Sequence, residues 1–486
     1  MVSTQISYSL ETTSIQKETR LKQIRCISVV CIVAIFTFIA RHMQFEDGLI
    51  YDRYISNALH GLGLVYNAGE RVNALTSPLY AYLVLGLSWL LHGQVQLAAV
   101  LICGVTFAGA CVLAETMVPY SGFLIASMGY FYAEIGMETS LLLFLIMLVI
   151  TLYVESRFNL IPVFVMLLIL TRAEAGALAL VLGWTLWRQR KLPKAVSFLP
   201  AIGVFLVYLY INFRFYGRLT PDSASAKLGQ GVSGYWGAWP TAFLRLWHLW
   251  RFFAFTPYVL AGILFFGWRG IRKTRATVWG NVVVPFLIVL FSFYWLFNLP
   301  ASYFWYYAPF IYFLSIFAII GLPKGRTASA VLAVVLVAQA ATNIYRVQKL
   351  ANDEHAYAKV AAWLDANTDP DATIEACEIG ELGWLSHRYM FDVLGLTSPK
   401  NAVHIAKRDV TSWLAEDKPD YVIVHKPAWV WEQVATHSLN YEEAPFHSHS
   451  IYVLCRKTTP TSSSVVEAPC AKLHYPSIAL LPPRNP

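Results

Sequence analysis

The sequence predicts a polytopic α-helical membrane protein of about eleven transmembrane helices, followed by a smaller α/β domain outside the membrane. Three observations carry this expectation. Of 486 residues, 57% are hydrophobic and 14% charged, with a mean hydropathy of +0.51, whereas soluble domains are roughly 45–50% apolar and about 25% charged. The excess falls in runs between residues 22 and 344, many of them ~16–22 residues long, which as helices suit a hydrocarbon core of roughly 30 Å. From about residue 345 the runs stop and short alternating or amphipathic pieces replace them.

The net charge of +8 lies in clusters: Lys17, Arg20, Lys22 and Arg25, then "RQRK" 188–191, "RGIRKTR" 269–275 and "KGR" 324–326. Each sits between apolar runs, the distribution expected of cytoplasmic loops. The cations therefore speak for topology and against a nucleic-acid partner. Residues 1–23 form a cytoplasmic N-terminal segment. Span 1 (about 24–41) is retained, because a polar stretch precedes it and no small-residue cleavage site follows. The segment 42–74 is then an external loop, and span 2 (about 75–91) returns. The stretch 95–187 reads either as four crossings, with 160–187 one long helix, or as shorter pieces broken at "GMETS" 136–140 and "TRAEAG" 171–176. Spans near 195–213, 252–268, 278–297, 303–322 and 328–344 alternate around the basic loops. This places 214–251 and everything after 345 outside, and makes 24–344 the transmembrane domain.

In the external domain, 345–457, "HAYAKVAAWLDANT" 355–368 has helical spacing and stops at a turn signal, "DPDA". "TIEACEI", "YMFDVLG" and "DYVIVHK" read as short buried strands, with "DVTSWLAED" a helix before the last. The tail 458–486 is rich in Ser and Pro and has no periodicity, so it reads as extended or disordered. Cys26, Cys31, Cys103 and Cys111 lie in or beside apolar runs, as small hydrophobes. Among Cys377, Cys455 and Cys470 a disulfide is open, with no spacing motif to choose a pair.

The external loop 42–74 carries more charge than a short connection needs. Written as a helix, 46–58 puts Glu46, Ile50, Arg53 and Asn57 on one stripe and Asp47, Tyr51, Tyr54 and Ala58 on the next. The acidic pair falls in its first turn, where the helix dipole favours anions. Gly61 and Gly63 can cap its end. Such a helix is either an amphipathic interfacial element with solvated charges or the seat of a carboxylate that accepts a proton. Arg172 and Glu174 stand in an otherwise apolar stretch, where charges must pair or face a cavity; an ion pair joining helices is the reading favoured, with Glu138 in a similar role. The aromatic run "NLPASYFWYYAPF" 298–310 suits sugars and lipid headgroups as well as an interfacial belt. "RLWHLWRFFAF" 245–255 is amphipathic and interfacial, with His248 and Arg251 as weaker headgroup contacts.

The order Glu46-Asp47, Arg53-Tyr54, Asn57, "GLGLVYNAGERV" and "TSPLY" resembles the first external loop of the GT-C superfamily of integral membrane glycosyltransferases. The similarity is greatest to the branch of bacterial cell-wall arabinofuranosyltransferases and polyprenyl-phosphate-sugar mannosyltransferase-like proteins. "GMETSL" 136–141, "LTRAEAG" 170–176, "FYGRLTPDSASAKLG" 215–229 and 362–399 agree with it. Departures are Glu-Asp for the usual Asp-Asp, Ala173 where relatives often have Pro, and Asp52 at a position usually apolar.

The resemblance implies a GT-C glycosyltransferase, a hexosyl- or pentosyltransferase, in a bacterial cytoplasmic membrane with its C-terminal domain outside. It would move a sugar, with inversion, from a polyprenyl-phosphate donor to a glycan, lipid or protein acceptor at the external face, among membrane lipids. Asp47 is the implied base, with Glu46 beside it. Arg53 and Lys227 are expected to hold the donor phosphate, and Tyr54, Asn57, Tyr306 and Tyr307 to contact substrate. No dedicated metal site is expected, although a divalent cation at the acidic pair is an option within the superfamily. The rival reading is a transporter or flippase of lipid-linked sugars, for which inverted repeats would be expected; none is visible.

Overall fold

The structure is a computed structural model and describes residues 2–43, 45–239, 256–352, 355–457 and 470. The chain opens with α1 (Val2–Ala40), α2 (Glu46–Leu59), α3 (Pro78–Leu90), α4 (Val95–Met117), the short α5 (Ser121–Ala126) and α6 (Gly129–Tyr132), and α7 (Thr139–Val154). After these come α8 (Ile161–Thr171), α9 (Ala177–Arg188), α10 (Leu199–Tyr216), α11 (Asp222–Ser233), α12 (Thr256–Lys273), α13 (Val284–Leu296), α14 (Ala308–Gly321) and α15 (Arg326–Asn352). Two units result: the first takes in 1–48, 75–221 and 234–353, the second 49–74, 222–233 and 354–486.

Among its described residues, the first unit contains helices and no strand. Among the described residues, six stretches are long and apolar enough to cross a membrane: Gln16–Ala40, Val95–Met117, Ala195–Tyr216, Trp279–Leu296, Phe304–Gly321 and one beginning at Arg326. This is a multi-pass membrane protein. Helices α3, α7 and α8 are apolar but shorter. The expected second span, 75–91, holds a shorter helix. Only Pro78–Leu90 is helical there, 13 residues, or about 20 Å at 1.5 Å per residue, against a core of roughly 30 Å. The long helix of this region is α4, and its buried Glu115 accepts a bond from Arg25 of α1 at 2.8 Å.

Of the two readings of 95–187, the interrupted one is found. Gly136 adopts a positive φ of 96° just before α7. Helix α8 stops at Thr171, Arg172 is extended, and a 3₁₀ turn Ala173–Gly176 precedes α9. The charges that the apolar pattern could not accommodate in a helix face therefore sit at helix breaks.

The second unit contains α11, α16 (Ala356–Asn367), β1 (Thr373–Ala376), α17 (Gly380–Ser386), β2 (Tyr389–Asp392), α18 (Pro399–Ala406), α19 (Ser412–Asp417), β3 (Tyr421–His425), α20 (Gln433–Thr436), β4 (Tyr441–Ser448) and β5 (Ile451–Arg456). The sheet order is β2-β1-β3-β5-β4, with β2, β1 and β3 parallel and β5 and β4 antiparallel. The three expected strands are β1, β2 and β3, and the expected helices are α16 and α19. The β4–β5 hairpin was not expected. Pro445 lowers the strand signal of "YEEAPFHS", yet β4 lies at the sheet edge, where a residue without N–H is tolerated. Val422, Val424, Leu454, Trp413 and Leu414 fill the core beneath. Cys455 and Cys470 form a disulfide, while the Cys377 thiol is free and buried. The rest of the Ser/Pro tail lies outside the described residues.

Candidate active site

The first turn of α2 carries Glu46 and Asp47, both half-buried. What holds this turn in place is Gly48. A Cβ there would lie 3.0 Å from the Gly136 carbonyl oxygen, so any larger residue would push against the loop before α7. Tyr80 of α3 donates to the same carbonyl at 2.7 Å. The approach brings Asp47 near Glu138, close enough for the two charges to interact.

Glu138 is fully buried and accepts from Arg172 Nη1 at 2.9 Å, while Arg172 Nε donates to Glu174 at 2.6 Å. Arg172 thus ties the end of α8 to the start of α7. Its guanidinium carbon lies 4.8 Å from the Tyr306 ring centroid, a cation–π contact. Glu134 is buried four residues before Glu138, with Thr139 and Tyr130 as neighbours. The sequence reading missed it, although Glu134 and Glu138 at i and i+4 in an apolar stretch were a usable signal.

The aromatic run closes the other side. Residues Phe304–Tyr307 form a 3₁₀ turn. Phe45, next to the acidic pair, packs edge-on to Phe304 and Trp305 with centroids at 5.3 and 5.6 Å. Tyr303 stacks on Trp305 at 4.5 Å, and Tyr130 donates to the Phe304 carbonyl at 2.5 Å. Tyr306 is buried under Arg172, and Tyr307 is buried with its hydroxyl bonded to the Ala301 carbonyl. One part of the first unit therefore combines Glu46, Asp47, Glu138, Arg172, Glu174 and a wall of rings.

The remaining expected residues, Arg53, Tyr54, Asn57 and Lys227, lie in the second unit. Arg53 is buried, and its guanidinium donates to the carbonyls of Tyr66 (2.8 Å), Gly383 (2.6 Å) and Arg388 (2.7 Å) and to Asn67 Oδ1 (3.2 Å). Four of its five N–H groups are thereby engaged with protein acceptors, and its planar face covers the Tyr66 ring. Arg53 thereby ties the loop 49–74 to α17 and β2. The buried hydroxyl of Tyr54 donates to the Val72 carbonyl and accepts from Ala74 N. Asn57 donates to the carbonyls of Val65 and Tyr66 and so braces the same loop. Asn67, which the sequence reading passed over, pairs with both the N–H and the carbonyl of Met390. Its side chain thus completes the outer edge of β2, a strand otherwise open to pairing.

Asp52, on the same helix, is only 4% exposed, and burial pushes its carboxyl up from 3.8 to about 8. Lys227 is half-buried on α11. His248 and Arg251 fall outside the described residues. Among the described residues, one group of three metal-capable side chains is close enough to share an ion: Glu442, Cys455 and Cys470. Two of these are joined in the disulfide.

Comparison with solved structures follows from this architecture. The chain matches ArnT from Cupriavidus metallidurans, solved bound to undecaprenyl phosphate, with a TM-score of 0.57 and 12% identity over 88% of this chain and 97% of that one. The fold is that of ArnT. The fold found is thus in keeping with the resemblance read from the loop 42–74. Two further matches have lower scores. The archaeal oligosaccharyltransferase AglB from Archaeoglobus fulgidus scores 0.49, at 12% identity over 90% of this chain and 75% of that one. Arabinofuranosyltransferase AftD from mycobacteria scores 0.38, at 13% identity over 89% and 40%. Residues 342–466 match a family described as a domain of unknown function, DUF8728. No curated protein sequence matches the chain.

Proposed function

We propose that the protein is a glycosyltransferase that moves a sugar from a polyprenyl-phosphate donor to a hydroxyl of a glycan, lipid or protein acceptor at the external face of a bacterial cytoplasmic membrane. The observation that carries this reading is the position of Asp47: half-buried at a helix N-terminus, fixed by the Gly48–Gly136 approach, and beside the Glu138–Arg172 pair. Asp47 accepts the proton of the acceptor hydroxyl. That oxygen attacks the anomeric carbon from the face opposite the phosphate, the sugar–phosphate bond breaks, and polyprenyl phosphate leaves with the bonding pair. The configuration is thereby inverted.

Arg172 orients Glu138 and offers positive charge in a region otherwise acidic. Lys227 stands as a candidate contact for the departing phosphate. Aromatic faces at Tyr303–Tyr306 suit the apolar face of a sugar ring. The test is release of polyprenyl phosphate from a panel of short-chain polyprenyl-phosphate sugars by the purified protein in nanodiscs. Wild type should release it, and Asp47→Asn should not while still binding the lipid. Equal release by both forms would remove Asp47 as the base. Transbilayer movement of the lipid without release would favour a flippase instead.

A further inference from the structure

A second feature of the membrane unit lies at the far end of α14 from the aromatic turn. Helices α12 and α14 pack almost backbone to backbone: a Cβ on Gly270 would lie 1.9 Å from the Phe317 carbonyl oxygen, and one on Gly321 1.8 Å from that of Phe266. Small residues permit this approach between membrane helices. Helix α15 stands beside them, and a groove of about 860 Å³ opens between, lined by Ile263, Phe266, Ala318, Leu322, Val331 and Val335 among others. Its wall on α15 runs from Ala328 to Ala338, about 15 Å of helix, which is half of a roughly 30 Å hydrocarbon core. The groove thus has the length of one leaflet.

One end of it is basic. Lys324 lines the groove. Arg269 lies with its guanidinium carbon 5.9 Å from the Phe266 ring centroid. Lys273 Nζ donates to the carbonyls of Gly321 and Leu322 at 3.3 and 3.5 Å. Arg326 starts α15, two residues after Lys324, where the helix N-terminus adds partial positive charge. Between Asp222 and Asp353 the sequence contains no Asp or Glu. Among the described residues, none of these four cations is paired with a carboxylate. Cytoplasmic cations alone would explain the charge but not its convergence on the mouth of an apolar groove of leaflet length.

We propose that this groove holds an anionic phospholipid, its phosphate among Arg269, Lys273, Lys324 and Arg326 and an acyl chain along α15. The tail of a polyprenyl-phosphate donor is the competing occupant. Its phosphate would lie at the aromatic end of α14, a helix of 14 residues or about 21 Å, and would leave the basic end without an anion. The proposal rests on the membrane reading of the chain and is independent of the transfer chemistry.

The test is native mass spectrometry of the full-length, delipidated protein titrated with phosphatidylglycerol and, separately, phosphatidylcholine of the same acyl chains. Wild type should retain phosphatidylglycerol preferentially. The double variant Lys324→Gln/Arg326→Gln should lose roughly fivefold in affinity per cation removed, and Ala328→Trp should weaken both lipids by filling the groove. Arg346→Gln, 20 residues along α15 from Arg326, about 30 Å, should change nothing. Unfolding midpoints of each variant identify loss of fold. Equal retention of the two phospholipids, or unchanged phosphatidylglycerol affinity in a folded double variant, overturns the proposal. So does displacement by decaprenyl phosphate that is as effective in wild type as in the double variant, since the groove would then read a tail and not a headgroup.

Discussion

Replacing Arg53 by Met separates a joining role from a phosphate-binding one. The substitution keeps an unbranched apolar stem about as long as the arginine's methylenes and removes four hydrogen bonds, to the carbonyls of Tyr66, Gly383 and Arg388 and to Asn67 Oδ1. Two of these acceptors retain a partner: Tyr66 O keeps Asn57, and Asn67 Oδ1 keeps Met390 N. The carbonyls of Gly383 and Arg388 lose this donor. A buried acceptor left without its partner costs about 1–3 kcal/mol, and relief of the buried cation offsets part of that, giving a local loss of about 3 kcal/mol. Because a membrane protein with two units need not unfold in one step, the assay is local. Amide exchange at 389–392, on the β2 edge that Asn67 completes, should quicken roughly a hundredfold for that loss. Arg53→Lys should not rescue it, because an ammonium cannot reproduce the planar fork. Unchanged exchange together with lost binding of a polyprenyl-phosphate sugar would refute the joining role and restore the phosphate role.

Four further outcomes follow from the same geometry. Asp47→Asn should reduce turnover by about 10²–10⁴, the range of general-base catalysis, with donor binding retained; a loss below tenfold would argue against the base assignment. Gly48→Ala puts a methyl group 3.0 Å from the Gly136 carbonyl oxygen and should lower kcat about a hundredfold through misplacement of Asp47, while leaving exchange at β2 unchanged. For Asp52, whose carboxyl is raised from 3.8 to about 8 by burial, the folded state holds more protons than the unfolded one across that window, so stability falls as pH rises through it. Asp52→Asn should therefore gain stability relative to wild type increasingly from pH 5 to about 8 and level off above, read from unfolding midpoints; a pH-independent difference would contradict the buried carboxyl. Finally, maleimide labelling of the native protein should spare Cys455 and Cys470 until a reductant opens their disulfide, and should spare Cys377 until unfolding, since that thiol is buried and burial pushes its proton affinity up.

The loop 42–74 divides between the two units. Its first turn, Glu46 and Asp47, belongs with the membrane helices, whereas residues 49–74 belong with the sheet unit. Arg53, Tyr54, Asn57 and Asn67 satisfy main-chain groups of a long irregular loop that would otherwise be buried without partners. A pattern of charged and amide residues on a loop can therefore look like a binding motif when most of it is scaffolding.

The chain alone determined its membrane character, its basic loops, the helix over 46–58, and three strands and two helices of the second unit, because each depends on local periodicity and hydropathy. It also showed Arg172 and Glu174 as charges needing partners. Only the tertiary structure decided which partners: Glu138 from 34 residues away for Arg172, and carbonyls more than 300 residues along the chain for Arg53. It decided too that the helix of the expected second span is Pro78–Leu90, that Glu134 lies buried near Glu138, and that Cys455 pairs with Cys470. The physical reason is common to all of these. A helix or strand is specified by neighbours in sequence, but a hydrogen bond, an ion pair or a disulfide is specified by what the completed fold brings within a few ångströms, and no spacing in the chain records that distance.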